Sequence, residues 1–216
     1  MKSFLVLGLG RFGYHLTREL VALGNEVMVL DRDEDRVSQL SGIATATCIG
    51  DCQDEQVLRS LGVDNFNACF VCVSDDFQCS LETTAILQEL GAKYVVSRAD
   101  REKQIRFLLK IGADYVVNAE MDTAKRIATS FSSTKVFDYF ELSPQYAVFE
   151  ITTPVPWVGH AVKELDIRSK YNINILGIKF HGEIVPLLDP NYVFQDDTHL
   201  IIAGDKATSL ALAKDD

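Results

Sequence analysis

The chain has 216 residues, 47% hydrophobic and 24% charged, with a formal net charge of −10; that is a globular composition, long enough for one large domain or two small ones. The acidic excess argues against holding nucleic acid by its phosphates, which needs clustered Lys and Arg with counterions to release. No apolar run approaches the ~18 residues of a spanning helix, and Met1-Lys2-Ser3-Phe4 leads directly into a predicted strand, leaving no room for a signal peptide, so a cytoplasmic location is expected.

The first strand, Phe4-Leu5-Val6-Leu7, runs into Gly8-Leu9-Gly10-Arg11-Phe12-Gly13. A strand that ends in G-x-G-x-x-G and opens into a helix sets backbone N–H groups and the positive helix end where a pyrophosphate can sit. Gly8 serves the tight turn, Gly10 the approach of phosphate, and Gly13 the close packing of helix on strand. Leu16, Leu20 and Leu23 continue the helix, and Gly24 closes it. Val27-Met28-Val29-Leu30 is the second strand and ends on Asp31, where a carboxylate accepts hydrogen bonds from an adenosine ribose. Arg32 follows, but Asp31 beside it repels a 2′-phosphate and disfavours NADP.

Acidic residues at 33–35 open a short helix, where the dipole favours them. A strand over 45–49 ends at Gly50-Asp51, a helix over 54–61 closes with Gly62, and a doubly buried strand over 68–73 ends in Ser74-Asp75-Asp76. Leu90-Gly91-Ala92 and Ile111-Gly112-Ala113 are two helix-to-strand joints with the same glycine cap, each followed by a Val-Val strand. Strand–helix alternation over about 120 residues predicts a parallel, doubly wound sheet whose ligands bind at the C-terminal strand ends. The candidates at those ends are Asp31, Arg32, Asp51, Ser74, Asp75, Arg98 and the stretch from Asn118 to Glu120. Arg98 would bring a cation to the phosphates.

Helical spacing over 121–131 places Ala124, Ile127, Ala128 and Phe131 on one face. After Ser132-Ser133-Thr134, the residues Val136, Phe137, Tyr139, Phe140 and Leu142 read as a second apolar helix, and the exposed aromatics call for a partner, either the next domain or another copy of the chain. Beyond Ser143-Pro144 the pattern becomes α+β: strands over 146–152, 173–180, 183–185 and 199–203, helices near 159–165 and 205–213, and a hairpin turn at His181-Gly182.

The five cysteines, Cys48, Cys52, Cys69, Cys72 and Cys79, read as free and mostly buried. Cys69 and Cys72 lie three apart in a strand and therefore face opposite ways, which disfavours a redox or zinc motif. A dehydrogenase needs a proton-transfer group beside the nicotinamide. No tyrosine here has a lysine four positions later, none of His15, His160, His181 and His199 sits at a predicted C-terminal end of the nucleotide sheet, and no metal spacing or nucleophile elbow is present. A nucleotide site without a second reactant suggests that the nucleotide is the signal. A small NAD-dependent oxidoreductase and a nucleotide-binding interaction module without a channel are the alternatives.

Gly-Leu-Gly-Arg-Phe-Gly at 8–13, Val29-Leu30-Asp31, Gly50-Asp51, Lys110 to Asp114, Tyr192-Val193-Phe194 and His199 to Asp205 together resemble the cytosolic regulatory subunits of Ktr/Trk potassium-uptake systems. The resemblance spans essentially the whole chain. It implies a Rossmann-like RCK (KTN) N-lobe over 1–133, then a crossover helix pair and a small α+β C-lobe over 134–216. It also implies a homo-octameric ring under a membrane potassium channel or transporter subunit, at the inner face of the membrane, gated by exchange of ATP for ADP or in some members by NAD(H). By position, Arg11 would reach the terminal phosphates, Asp31 the ribose and Arg98 the phosphates, with Glu120 near the γ-phosphate or a bridging Mg²⁺. Some members bind cyclic di-AMP between paired C-lobes. Asp166, Arg168, Asn174, Ile175 and Leu176 match that pattern, while Val162-Lys163 replaces its apolar pair and Leu188 stands where its first loop proline aligns.

Overall fold

The computed structural model describes residues 1–73, 76–180, 182–186 and 189–213. The chain divides into two compact units, Met1–Met121 and Asp122–Asp216.

In the first unit six strands, β1 (Ser3–Leu7), β2 (Glu26–Asp31), β3 (Ala46–Ile49), β4 (Ala68–Val71), β5 (Val95–Arg98) and β6 (Tyr115–Val117), form one sheet in the order β3-β2-β1-β4-β5-β6. Every pairing is parallel. Between them run α1 (Arg11–Ala22), α2 (Glu34–Gln39), α3 (Glu55–Leu61), α4 (Phe77–Glu89) and α5 (Glu102–Ile111). Alternate residues of the buried strands feed two separate cores, because successive side chains point to opposite faces. Leu5, Leu7, Cys69 and Val71 pack with Leu58 of α3 and Leu87 of α4, whereas Val6, Val27 and Val29 pack with Leu16 and Leu20 of α1 and Val37 of α2. Each fully buried leucine contributes roughly 2 kcal/mol. Cys69 lies in one core and Cys72 in the other.

Helix α6 (Ala119–Phe131) spans the division between the units. In the second unit five strands, β7 (Val136–Glu141), β8 (Tyr146–Thr152), β9 (Ile173–Phe180), β10 (Glu183–Pro186) and β11 (His199–Asp205), form an antiparallel sheet ordered β10-β9-β11-β8-β7. Phe149, Ile151, Leu200 and Ile202 face a core shared with Trp157, Phe194, α7 (Val162–Leu165), α8 (Ile167–Tyr171) and α9 (Lys206–Leu212). The sequence pattern did not reveal α8. The expected turn residue His181 lies outside the described residues, while Gly182 beside it has φ +87°.

The second helix of the expected crossover pair is instead β7. Its register with β8 jumps between Val136 and Asp138, where one extra residue forms a bulge. The bulge turns Val136 and Tyr139, three apart, to the same buried side. That spacing imitates a helix turn.

Candidate functional site

Strands β1 and β4 are adjacent although not consecutive, so the connections diverge between them: α1 leads towards β2 on one side and α4 towards β5 on the other. Such a switch point leaves a crevice beyond the strand ends. Here it is a cleft of about 220 Å³ lined by Gly8, Gly10, Asp31, Arg32, Gly50 and Asp51, together with Asp33, Arg36, Cys52, Asp76 and Cys79.

The helix ends facing this region are built differently. Asp33 caps α2 by accepting from the N–H groups of Asp35 and Arg36, Asp54 caps α3 through Gln56 N–H, and Asp76 caps α4 through Cys79 N–H. At α5, Gln104 accepts from the N–H of Arg101, and Glu102 stands in the first turn. The cap of α1 is Gly10, which has no side chain, and no acidic residue stands in that first turn. Among the described residues of this unit, α1 is thus the helix with neither a side-chain cap on its leading N–H groups nor an acidic residue in its first turn, which leaves its positive dipole end for an external anion.

The loop is held from both sides. Gly8 has φ +90°, and at Gly13 a Cβ would lie 2.0 Å from the Gly8 carbonyl oxygen, so α1 rests directly on the loop backbone. Asp31, 6% exposed, accepts the Leu9 N–H on Oδ2 at 2.5 Å and the Asp33 N–H on Oδ1 at 2.9 Å, with Arg36 Nη1 3.8 Å from Oδ2. Its carboxylate therefore pins the glycine loop to the start of α2. The oxygens retain lone pairs for a ribose hydroxyl.

Of the residues expected at the site, Gly8, Gly10, Asp31, Arg32 and Asp51 line the cleft, and Gly13 supports it from behind. Arg11 is exposed at the first position of α1. Phe12, Arg98 and Glu120 meet in a cluster of their own: the Arg98 guanidinium lies 5.6 Å from the Phe12 ring centroid, and its Nη2 pairs with Glu120 at 2.6 Å and Asp100 at 3.2 Å. Arg98 Nε is buried without a hydrogen-bond partner among the described residues. Ser74 and Asp75 lie outside the described residues. The sequence reading passed over Asp33, Arg36, Asp76, Cys52 and Cys79 as site residues. For Asp33 and Asp76 the available signal was an aspartate immediately before a helix; for the cysteines there was none. Burial raises the thiols of Cys52, Cys72 and Cys79, the last two to about 12.

The TrkA-N domain model matches residues 4–119, and the TrkA-C domain model matches residues 146–215. The chain belongs to the TrkA-N/TrkA-C family. It is 42% identical over 204 residues to the Ktr system potassium uptake protein C of Bacillus subtilis (strain 168), covering 94% of this chain and 92% of that protein. It is 34% identical to the Ktr system potassium uptake protein A of the same organism, covering 95% and 92%. Among solved structures, the GsuK RCK domain superposes with a TM-score of 0.68 at 19% identity, covering 98% of this chain and 47% of that one. The GsuK channel bound to NAD gives 0.69 at 20% identity, covering 100% and 40%. At that identity the likeness establishes the RCK fold.

The cleft thus belongs to the TrkA-N portion. In the TrkA-C portion, Asp166, Arg168, Asn174 and Ile175 line a second, more open depression with Val162 and Lys163. Asp166 adopts φ +46° between α7 and α8 and accepts from Ser169 Oγ. The Lys163 ammonium is drawn to Asn191 Oδ1 at 2.8 Å. Leu176 is exposed and not part of the lining, and Leu188 lies outside the described residues. Among the described residues no three His, Cys, Asp or Glu side chains are grouped to hold a metal ion, and no helix is long and apolar enough to cross a membrane.

Proposed function

We propose that this chain is the nucleotide-sensing regulatory subunit of a potassium-uptake system, binding ATP and ADP in the TrkA-N cleft and acting on a membrane channel or transporter subunit without catalysing a reaction. The observation that carries this reading is the uncapped N-terminus of α1 at a switch-point cleft, in a chain 42% identical to a Ktr system potassium uptake protein. Phosphates would take the α1 N–H groups across Gly10, and the ribose would take the free lone pairs of Asp31. Arg11, exposed beside the loop, would reach the terminal phosphate, where a guanidinium forms its strongest hydrogen bonds. Arg98 would act on the phosphates through the Phe12 side of the loop, with Glu120 exchanging between Arg98 and a Mg²⁺ carried in by the triphosphate. NAD(H) is the alternative ligand, favoured by the GsuK channel bound to NAD.

The subunit would sit at the inner face of the membrane through its partner, assembled as an octameric ring of dimers. Cyclic di-AMP is a second candidate ligand, at the TrkA-C depression; Lys163, held by Asn191, would have to turn towards its phosphates. Calorimetry with cyclic di-AMP at tens of micromolar would show heat if that site is used and none if it is not.

The functional test is potassium flux through the cognate membrane subunit reconstituted with this chain. Replacing ADP by ATP changes the flux if the reading is right, and Arg11→Ala shrinks the ATP-to-ADP affinity ratio by roughly tenfold, the worth of one charge-assisted contact. Equal flux in both nucleotides, or turnover of a nicotinamide cofactor with a carbonyl substrate, would refute it.

A further inference from the structure

The cysteine pair that the sequence displays is not the pair that the fold makes. Cys69 and Cys72 are divided between two cores, while Cys52 and Cys79, far apart in the chain, bring their sulfurs to 3.7 Å. Cys52 follows Asp51 in the loop beyond β3, and Cys79 lies in the first turn of α4; both line the nucleotide cleft. The two segments are tied one helical turn beyond Cys79. Thr83 Oγ1 donates to the Cys52 carbonyl at 3.2 Å, and Gln53 Nε2 donates to Glu82 Oε2. All five cysteines are free, so this contact is between thiols.

We infer that Cys52 and Cys79 are a redox modification site: a low-molecular-weight disulfide oxidises them to an intramolecular disulfide that draws the two walls of the cleft together and excludes the nucleotide. The exclusion rests on the nucleotide reading of the cleft; the bond itself does not. A disulfide needs its sulfurs at ~2.05 Å, so closure is a movement of under 2 Å. In the first step the Cys52 thiolate attacks one sulfur of the small disulfide, whose S–S bond breaks and releases one thiolate to take up a proton. The Cys79 thiolate then attacks the Cys52 sulfur and expels the second small thiol. Two protein thiols are oxidised and one disulfide is reduced to two thiols. In a reducing cell the bond is transient, which suits a signal.

The chemistry is guarded in two ways. Cys52 and Cys79 are each only 7% exposed, and burial raises both thiols, with the carboxylates of Asp51 and Asp76 adding to the effect, so the reactive thiolate is a minor fraction and attack is slow. A nucleotide in the cleft would cover the remaining access, so the empty state is the one that reacts.

The test uses the full-length assembled chain, reduced and stripped of nucleotide, then exposed to oxidised glutathione with or without saturating ADP, quenched by alkylation and peptide-mapped. The expected result is a peptide pair joined through Cys52 and Cys79, formed at least about tenfold more slowly with ADP present. ADP affinity falls on oxidation and returns with dithiothreitol. Cys48→Ser, which removes the more accessible thiol, still cross-links, whereas Cys52→Ala, which lacks the attacking thiol, shows no change in ADP affinity between its oxidant-treated and reduced forms. Recovery of Cys52 and Cys79 only as separate alkylated or glutathione-capped peptides overturns the inference, as does a cross-link that leaves ADP affinity unaltered. Mapping on the unsubstituted chain does not depend on how the variants fold. Absence of adenine-nucleotide binding by the reduced chain would remove the nucleotide reading, while the joined peptides would still decide whether the thiols form the bond.

Discussion

At Gly10 the backbone is extended, with φ −61° and ψ −176°, and a Cβ would meet nothing within 4 Å. Any residue can adopt that conformation, so the fold does not require glycine there; under the proposed function it is the approach of a phosphate that does. Gly10→Asp would supply α1 with the side-chain cap that α2, α3 and α4 already have, stabilising the first unit by about 1 kcal/mol. The same carboxylate would stand where the proposed function puts a phosphate, and ADP affinity should then fall at least about a hundredfold through lost charge-assisted bonds and repulsion. A denaturant midpoint that rises while calorimetric binding disappears is the expected signature. Gly13→Ala should do the opposite to stability: its Cβ would sit 2.0 Å from the Gly8 carbonyl oxygen, and that backbone cannot swing aside. A loss of roughly 3 kcal/mol or more is expected in urea melts.

Among the elements, β7 carries a pH dependence. Glu141 accepts from Lys125 at 2.6 Å, from the Tyr139 hydroxyl and from Lys206 at 3.2 Å, and the Lys125 contact, followed by Tyr139, holds its carboxyl down to about 2. A carboxyl depressed in the folded state contributes its full stability above the ordinary glutamate value of about 4.3 and loses it as the pH falls towards 2. Thermal melts across that window should show a steeper loss in the native chain than in Glu141→Gln. This network also marks where sequence reading stopped. The parallel sheet was legible because β1, β2 and β4 are uninterrupted apolar runs closed by glycine and aspartate. β7 was misread because its bulge spaces Val136 and Tyr139 like a helix. The glycine loop and Asp31 were legible from motif and spacing. The hydrogen bond from Leu9 N–H to Asp31, the Phe12–Arg98–Glu120 cluster and the Cys52–Cys79 contact were not, because each joins residues that only the tertiary fold brings together.

For the whole molecule, a regulatory role requires that a ligand held in the first unit bias something beyond it, and a ligand shifts an equilibrium only by its differential affinity for the two states. The exposed apolar side chains of α6, Ile127 and Phe131, the latter 87% exposed, are surface that the proposed assembly of copies would cover. Phe131→Ser is expected to move the assembly to smaller species in light scattering without lowering the melting temperature of the first unit; an unchanged mass would place the assembly contact elsewhere. The most direct measurement is equilibrium binding of ATP, ADP, NAD⁺ and NADH to nucleotide-stripped chain, with and without Mg²⁺, while the mass of the assembly is followed. Nucleotide sensing predicts saturable ATP and ADP binding with a different assembly state or shape in each. No binding of any of the four, or binding of all four with no change in the assembly, would contradict it.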